Sequence, residues 1–292
     1  MENFISIIIP TCNEKENLLM TLKSIKEDAN YPYYEVIVID SSYKESEKIG
    51  KKSIKDSKVN VVHTQREGMA KARNLGAQNS KGDFLIFLDS HCKIYNNTLE
   101  SITKFLKRNK NSLCNPCVNV LGNESVKIYG ITLKNSSLDT EWIYNGKKTP
   151  SEIPIANACC LAATKMCFTD IGMFDDSFKT YGFEDVELSI RAWLLGCTVY
   201  NLPYAEISHL FREKFPYDVN QLDIDKNILR TAFLHFDADR IKRVIESIKE
   251  RRNIDTAIKL LSKTNVFQRR STLLKKRKHD DDWFFRRFGI SV

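Results

Sequence analysis

The chain has 292 residues, of which 42% are hydrophobic and 28% are charged, a composition typical of globular proteins that excludes a wholly disordered chain. Its length suffices for one large α/β domain with an appendage. The formal net charge of +8 leaves three kinds of anionic partner to consider, namely nucleic acid, an acidic membrane surface and a phosphorylated small molecule.

The eight cysteines do not indicate a small disulfide-stabilised fold, because the chain is too long for one. Cys114 and Cys117 form a single CxxC without the second pair that a zinc site of this type needs. Reduced thiols are the favoured interpretation, and a redox pair is the alternative. The N-terminal apolar run stops at Pro10, too early for a signal peptide, and no segment has the roughly 20 apolar residues of a membrane span. We therefore expect a cytoplasmic protein.

The first elements in the chain are two strands joined by a helix. β-branched runs at 4–9 and 36–39 predict the strands, and Pro10 is expected to end the first because proline donates no ladder hydrogen bond. Asn13, with Glu16 three residues later, predicts the N-terminal cap of the helix between them.

The next stretch continues the alternation of helix and strand. A lysine- and serine-rich segment at 43–58 predicts a solvated helix, 59–62 a third strand, 68–77 a closely packed helix and 84–88 a buried fourth strand. The order β-α-β-α-β-α-β predicts a parallel, Rossmann-like sheet. No GxGxxG follows the first strand, so the dinucleotide-binding fingerprint is absent.

The fourth strand leads directly into Asp89-Ser90-His91. Open α/β sheets bind ligands at the carboxyl ends of their strands. Asp89 and His91 have the same parity along an extended chain, so both can face one crevice. An oxygen ligand beside a nitrogen ligand suits a divalent cation such as Mn²⁺. For this tripeptide alone, an Asp that caps a turn and an exposed His are the simpler interpretation.

A second acidic group begins a helix further along the chain. Glu184, Asp185 and Glu187 occupy the first turn, and Gly196 is a fitting C-terminal stop. The helix macrodipole favours acids at this end, and for Glu187 that structural explanation is sufficient. A strand expected at 198–202 then leads towards a His-Leu-Phe-Arg sequence that begins at His209.

From residue 218 the sequence becomes rich in basic residues and in segments with helical periodicity, so we predict two domains, 1–217 and 218–292. The basic and aromatic tail at 283–288 permits contact with an anionic membrane, although aromatic residues docked on the domain are the favoured interpretation. No nucleic-acid-binding motif accompanies the charge, so we expect no nucleic-acid partner. Helices are expected at 96–109, 222–237, 238–252 and 254–261, a strand near 127–133, and a loop at 135–152.

Several of these motifs, in this order, resemble one family. Pro10-Thr11-Cys12-Asn13-Glu14 and Asp40-Ser41-Ser42 are similar to nucleotide-binding motifs of GT-A glycosyltransferases of the family-2 kind. The resemblance covers about residues 4–235, and implies an α/β GT-A fold: a Rossmann-like, mostly parallel sheet flanked by helices, here with a C-terminal helical extension. The segments that more specifically resemble the catalytic domain of polypeptide N-acetylgalactosaminyltransferases are 68–76, 88–92, 181–196, 209–212, 216–217 and 227–230.

The resemblance also implies roles for single residues. Asp89, His91 and His209 would be the ligands of Mn²⁺ or Mg²⁺. Asp185 and Glu184 would be catalytic carboxylates beside the reacting sugar. The residues implied in binding a UDP-sugar are Pro10, Thr11, Glu14, Asp40 (at the uracil), Arg73, Asp89, Ser90, and Arg212 and Tyr217 on a mobile loop that closes over the diphosphate.

Two positions depart from the family's pattern. Gly182-Phe183 replaces a glycine pair, and Asp185 replaces an asparagine, as in inverting family-2 enzymes. The stereochemistry therefore stays open.

The resemblance implies a metal-dependent glycosyltransferase that moves a sugar from a UDP-sugar to an acceptor nucleophile such as a peptide side chain. A surface polysaccharide or lipid-linked glycan is an alternative acceptor. A non-catalytic nucleotide-sugar-binding protein is the alternative of another class. The sugar, the acceptor and the oligomeric state are left open by the sequence.

Overall fold

Ten strands form one mixed central sheet in the part of the chain that the computed structural model describes, residues 4–27, 31–50, 54, 56–95, 97–250 and 254–292. The strands are β1 (Ile5–Thr11), β2 (Tyr34–Asp40), β3 (Val59–His63), β4 (Phe84–Leu88), β5 (Cys92–Ile94), β6 (Ser112–Val120), β7 (Asn123–Ile128), β10 (Ser151–Glu152), β11 (Cys160–Thr164) and β12 (Thr198–His209), while β8 (Ile131–Leu133) and β9 (Thr140–Trp142) form a separate hairpin. The helices are α1 (Lys15–Glu27), α2 (Met69–Asn79), α3 (Thr98–Arg108), α4 (Lys165–Asp170), α5 (Glu184–Leu194), α6 (Gln221–His235), α7 (Ala238–Ile248), α8 (Ile254–Ser262), α9 (Val266–Lys276) and α10 (Asp281–Phe288).

The main path of the sheet runs β10-β12-β6-β11-β4-β1-β2-β3. β3, β2, β1 and β4 are mutually parallel, β11 runs antiparallel to both β4 and β6, and β12 is parallel to β6. The predicted mostly parallel, Rossmann-like sheet flanked by helices is therefore confirmed, as is the series of C-terminal helices. The carboxyl ends of β1, β4, β6 and β12 lie at the same edge of the sheet.

Both faces of the sheet are buried, which explains why its central strands read as continuous apolar runs. Ile8 of β1 and Leu85 of β4 point into a core shared with α2, α5 and α6. Their neighbours Ile7 and Ile86 point to the opposite face, where α1 and α3 cover them. This alternation is the period of two expected for a strand.

Two predictions at the end of β1 are wrong. β1 continues through Pro10 to Thr11, paired with β2. The Thr11 carbonyl accepts from Ser41 N on the β2 side, so the backbone of Pro10 faces β4. The ladder between β1 and β4 ends at Ile8, and the missing N–H of Pro10 therefore breaks no ladder hydrogen bond. Asn13 does not cap α1, which begins at Lys15; its side chain binds the loop after β2 instead.

Other boundaries also differ from the sequence predictions. The described part of 43–58 contains a 3₁₀ turn at Glu45–Glu47 rather than a helix. Residues 51–53 and 55 of that segment lie outside the described residues, and so do residue 96 and residues 251–252, each at the end of another predicted helix. The strand predicted at 127–133 is two strands, β7 and β8, separated by Gly130 with a φ of +134°. β6 was not predicted, because Asn115 and Pro116 interrupt its apolar pattern.

The C-terminal helices share a core with the sheet. Phe284 and Phe285 of α10 are buried, and Phe288 lies 5.1 Å from Trp193 of α5 between ring centroids. The tail aromatics are therefore docked on the domain, as favoured from the sequence. No helix in the described part of the chain has the length and apolar character to cross a membrane.

A buried charge network joins α5 to its surroundings. The Arg191 guanidinium donates two hydrogen bonds of 2.8 Å to the Glu187 carboxylate and further bonds to the carbonyls of Ile171 and Met173. His235 Nε2 of α6 lies 2.8 Å from the same carboxylate. Burial alone would raise the pKa of Glu187, but Arg191 and His235 outweigh it and hold that pKa well below its usual value. Burial lowers the pKa of His235, so its imidazole is held neutral.

Replacing Arg191 should therefore destabilise the protein strongly. We expect Arg191→Met to lower the free energy of unfolding by about 3–5 kcal/mol, because Glu187 keeps a buried charge without its cation. Urea denaturation measures the change. Lys104→Met is the matched control, since Lys104 pairs with Glu100 on the exposed face of α3 and should cost under about 1 kcal/mol. Equal losses in the two variants would contradict the assignment.

Candidate active site

A cavity of about 660 Å³ opens at the carboxyl edge of the sheet. This volume lies within the range of small-molecule sites. Its polar side is built from the ends of β1, β4 and β12 and from the first turn of α5. Its apolar side is lined by Ile131 and Leu138, by Trp142 of β9, by Phe211, and by Ile224 and Ile228 of α6.

Strand pairing brings three metal-ligating side chains together. Asp89 follows β4 and is fixed by its backbone N–H, which donates to Cys159 O at 2.9 Å. β12 pairs antiparallel with β5, in a register that places His209 opposite Cys92. The ligand atoms of Asp89, His91 and His209 consequently lie within 4.8 Å of one another. The Asp89 carboxylate is 3.9 Å from His91 Nε2 and 3.5 Å from His209 Nε2.

The charge states of this cluster suit a cation. Burial alone would raise the pKa of Asp89, but His209, Arg73 and His91 outweigh it and hold the carboxylate ionised. Burial lowers the pKa of His209, so its imidazole is neutral. Within the described residues, neither buried ring nitrogen of His209 completes a hydrogen bond. An ionised carboxylate and a neutral imidazole are the forms that bind metal, so Asp89 and His209, with His91 Nε2 3.9 Å from the same carboxylate, fit a divalent cation.

A buried arginine connects the metal-ligand cluster to α5. Arg73 of α2 is 2% exposed and donates to Asp89 Oδ1 at 3.0 Å and to Glu184 Oε1 at 2.7 Å. Its third partner is Ala158 O at 3.3 Å. Arg73 lines the cavity, and its implied contact with the nucleotide stays a prediction.

The two candidate catalytic carboxylates differ in their environment. Glu184 is 6% exposed and bound by Arg73. Asp185 also lines the cavity and accepts from Ala158 N at 3.2 Å and Val186 N at 2.9 Å. Burial and the neighbouring Glu184 raise the pKa of Asp185 to about 6. A carboxylate that titrates near neutral pH suits general acid–base chemistry.

The turn before α5 holds these carboxylates in place. Gly182 has a φ of +95° and Phe183, where the family has glycine, has a φ of +73°. The left-handed region costs a bulky residue about 1–2 kcal/mol. Phe183 nevertheless occupies it, with its ring packed against the core.

The residues implied in nucleotide binding are distributed around the polar end of the cavity. The residues that line it include Pro10, Thr11, Glu14, Ser90, Arg212 and Tyr217. Thr11 is 4% exposed, and its hydroxyl has no hydrogen-bond partner within the described residues.

Asp40 is placed differently. It does not line the cavity, and its carboxylate accepts from Ser42 N at 2.9 Å and Ile49 N at 3.0 Å, with His63 Nδ1 3.2 Å away. The carboxylate therefore shapes the loop after β2, and its implied contact with uracil stays a prediction.

Residues 210–220, which we call the covering segment, form neither helix nor strand and lie over the cavity. Arg212 donates to Glu14 Oε2 at 2.8 Å, and the same oxygen is 3.0 Å from His91 Nδ1. Burial alone would raise the pKa of Glu14, but His91 and Arg212 outweigh it and lower that pKa. Phe215 packs against Tyr181 with ring centroids 4.7 Å apart.

Several cavity residues were not predicted from the sequence. Trp142 and Phe211 form an edge-to-face pair at 5.6 Å on the apolar side. The length of the 135–152 loop was the available signal, because long loops in compact domains are often functional. Which of its residues reaches the cavity depends on the β8–β9 hairpin, and the sequence did not indicate that pairing.

Removing one histidine should weaken cation binding. We expect His209→Ala to weaken the binding of Mn²⁺ at least tenfold, because the cluster then offers two ligands instead of three. Titration of Mn²⁺ followed by electron paramagnetic resonance measures the loss. His279→Ala, a histidine stacked on Trp283, is the control and should bind as the wild type does. Unchanged binding by His209→Ala would remove His209 from the ligand set.

Known proteins share both the sequence and the fold. The chain is 26% identical over 254 residues to polypeptide N-acetylgalactosaminyltransferase 10 of Rattus norvegicus, covering 80% of this chain and 42% of the relative. It is 28% identical over 200 residues to a probable N-acetylgalactosaminyltransferase 7 of Caenorhabditis elegans, covering 61% and 33%. The inactive polypeptide N-acetylgalactosaminyltransferase-like protein 5 of Mus musculus is 25% identical over 255 residues, covering 80% and 59%. The chain thus spans less than two thirds of each of these curated relatives.

Solved structures confirm the predicted GT-A fold. A crystal structure of GalNAc-T7 with UDP, GalNAc and Mn²⁺ superposes with a TM-score of 0.83 at 22% identity, covering 98% of this chain and 56% of that one. S. aureus TarS 1–349 in complex with UDP-GlcNAc gives 0.58 at 18% identity, covering 93% and 79%. Residues 6–171 match the family model of glycosyl transferase family 2. Since that match spans more than half of the chain, the protein belongs to glycosyl transferase family 2.

Proposed function

We propose that this protein is a metal-dependent glycosyltransferase that moves a sugar from a UDP-sugar to an acceptor nucleophile. The observation that carries the proposal is that one cavity holds the cation cluster of Asp89, His91 and His209 together with Asp185. Transfer from a nucleoside-diphosphate sugar needs a positive charge beside the departing diphosphate and a base for the acceptor. The cation cluster supplies the first and Asp185 the second. Membership of glycosyl transferase family 2 supports the reaction class.

The donor would lie along the polar end of the cavity. The unpartnered Thr11 hydroxyl and the adjacent Ser90 offer hydrogen bonds to a nucleoside, and Arg212 offers a fork for phosphate oxygens. Mn²⁺ or Mg²⁺ held by the three ligands would neutralise the charge that develops on the departing diphosphate. UDP is the favoured nucleotide, because the GalNAc-T7 and TarS structures contain UDP or UDP-GlcNAc.

Asp185 is the proposed general base. Its pKa of about 6 keeps it mostly ionised at neutral pH. Both carboxylates line the cavity, but Glu184 is ion-paired with Arg73 at 2.7 Å. We assign Glu184 the role of holding Arg73, and through it Asp89, beside the donor sugar. A base that activates the acceptor in a single displacement implies inversion at the anomeric carbon.

The acceptor would enter along the apolar side. Trp142, Phe211 and Ile131 form a wall there that fits an acceptor with apolar groups. A peptide side chain is the first candidate, because the curated relatives are polypeptide transferases. A surface polysaccharide or a lipid-linked glycan is the alternative acceptor.

A non-catalytic nucleotide-sugar-binding protein is the proposal of another class. The inactive mouse relative means that sequence similarity alone does not separate active from inactive chains. The complete ligand cluster and a cavity-lining Asp185 with a raised pKa favour catalysis.

The deciding experiment is turnover of a panel of UDP-sugars with Mn²⁺, with and without candidate peptides and glycans. UDP release, together with a rise in melting temperature that needs both UDP and Mn²⁺, is the expected result. A UDP- and Mn²⁺-dependent rise in melting temperature without any UDP release would favour the non-catalytic alternative. No rise with UDP and any divalent cation would overturn the donor assignment.

Asp185→Asn should lower the rate of transfer about 10²- to 10⁴-fold, the usual contribution of a positioned base, and leave UDP binding unchanged. In the wild type, kcat/KM should fall as pH drops below about 6, because protonation removes the base, and should level off above it. The residual activity of Asp185→Asn should lack this limb. A pH–rate profile of both proteins tests this, with Glu152→Gln, an exposed pair to Arg287, as control. An acid limb that persists in Asp185→Asn assigns it to another group.

We also propose a cytoplasmic location, and we propose residues 217 and 218 as the boundary between the sheet domain and a helical extension that shares its core. All eight cysteines are buried free thiols, which suits a reducing compartment. Burial raises the pKa of Cys114 and Cys117, the latter to about 11, which argues against a redox role for this pair.

A peripheral membrane contact is proposed for the C-terminal extension, residues 218–292. This part carries 18 Lys and Arg against 11 Asp and Glu, a net +7 of the chain's +8. Because α10 uses Phe284 and Phe285 inside the protein, the contact would instead use Phe267, which is 57% exposed, with Lys275 and Lys276 on α9.

Charge reversal tests this contact. We expect Lys275→Glu/Lys276→Glu to reduce co-sedimentation with vesicles containing phosphatidylserine, since each lysine near an anionic surface contributes about 1 kcal/mol. Lys104→Glu/Lys107→Glu on α3 makes the same change in net charge and should bind as the wild type does. Equal losses would indicate a non-specific effect of net charge, and no wild-type binding would refute the contact.

A further inference from the structure

Asn13 occupies an unusual position between β1 and α1. It is 7% exposed and has a φ of +56°, in the left-handed region that asparagine tolerates better than most residues. Its side-chain Oδ1 accepts from Tyr43 N at 3.2 Å and from Lys44 N at 3.1 Å, and its backbone N–H donates to Ser42 Oγ at 2.8 Å. All three bonds join the turn to the loop that follows Asp40.

The remaining polar group of Asn13 points to a different part of the molecule. Its Nδ2 donates to the carbonyl of Pro216, in the covering segment, at 3.3 Å. One carboxamide thus accepts hydrogen bonds from the loop after β2 and donates one to the segment that lies over the cavity.

Besides a backbone bond from Leu210 N to His91 O, two other polar side chains anchor the covering segment among the described residues, and they differ in kind. Arg212 is held by Glu14, and if Arg212 turns to the diphosphate this pair must open. Arg66 lies on the surface; it stacks 5.1 Å above the Tyr217 ring and donates to Asp218 O. The bond from Asn13 to Pro216 involves no group assigned to the donor, so it can persist while a nucleotide is bound.

We propose that Asn13 is a positioning residue that couples the loop at 41–44 to closure of the covering segment. This inference rests on the proposed function, since it makes donor binding at Thr11, whose carbonyl accepts from Ser41 N in the same loop, favour the closed cavity. A closed segment keeps water from the donor, which raises the share of donor that is transferred rather than hydrolysed.

Asn13→Asp separates the two halves of this link. The carboxylate keeps the acceptor for Tyr43 N and Lys44 N and tolerates the same backbone conformation, but it loses the donor to Pro216. We expect amide hydrogen exchange across 210–220 to speed up about two- to tenfold in the ligand-free protein, the range set by one neutral hydrogen bond. Exchange at 41–44 should stay unchanged.

Asn13→Gly removes both the acceptor and the donor of the carboxamide. Glycine tolerates the left-handed backbone, so this variant provides a second test if Asn13→Asp fails to fold. It should speed up exchange in both 41–44 and 210–220. Asn123→Asp on β7 adds the same charge at an exposed site and should change neither. Adding UDP with MnCl₂ should protect 210–220 in the wild type and protect it less in Asn13→Asp.

In steady-state assays, Asn13→Asp should raise the ratio of donor hydrolysis to transfer while the pH profile set by Asp185 stays the same. Wild-type exchange rates across 210–220 in both variants would overturn the inference, and so would equal protection by UDP. The hydrogen-exchange measurements need no turnover. An inactive wild type would therefore refute the proposed function without deciding the role of Asn13.

Discussion

The site depends on one buried cation, Arg73. Its guanidinium is 2% exposed and bridges Asp89 at the end of β4 to Glu184 at the start of α5. A buried charge is tolerated only when it is paired and hydrogen-bonded, so Arg73 fixes two carboxylates that would otherwise repel each other. The ligand cluster and the catalytic helix come from distant parts of the sequence, and Arg73 sets the distance between them.

Buried arginine–carboxylate pairs also occur deeper in the fold. Arg191 binds Glu187 within α5, and Arg230 of α6 binds Asp175 at 2.8 Å with both side chains buried. Together with His235 these pairs orient α5 between the turn at 171–175 and the C-terminal helices. The C-terminal extension therefore helps to position Glu184 and Asp185, and its Ile224 and Ile228 also line the apolar side of the cavity.

Much of the fold and site could be predicted where a local pattern carries the information. The strand at 84–88 was predicted with the observed bounds, and Asp89 and His91 follow from its abrupt polar end. His209 needed the resemblance, because its proximity to Asp89 is created by the pairing of β12 with β5. Asn13 was misread as a helix cap, since its spacing to Glu16 is local whereas its partners lie in two remote loops.

The difference between Glu184 and Asp185 shows what tertiary structure adds to adjacent residues. Spacing and composition alone describe both as acids at a helix N-terminus, and only the resemblance to inverting family-2 enzymes favours Asp185 as the base. In the fold, Glu184 pairs with Arg73. Burial and the repulsion of Glu184 raise the pKa of Asp185 to about 6, although the N–H groups of Ala158 and Val186 that donate to it act in the opposite direction. Adjacent carboxylates in unlike environments can take unlike roles, one electrostatic and one in proton transfer. The left-handed turn at Gly182 and Phe183 makes this possible, because it directs the two side chains to different partners at the start of a single helix.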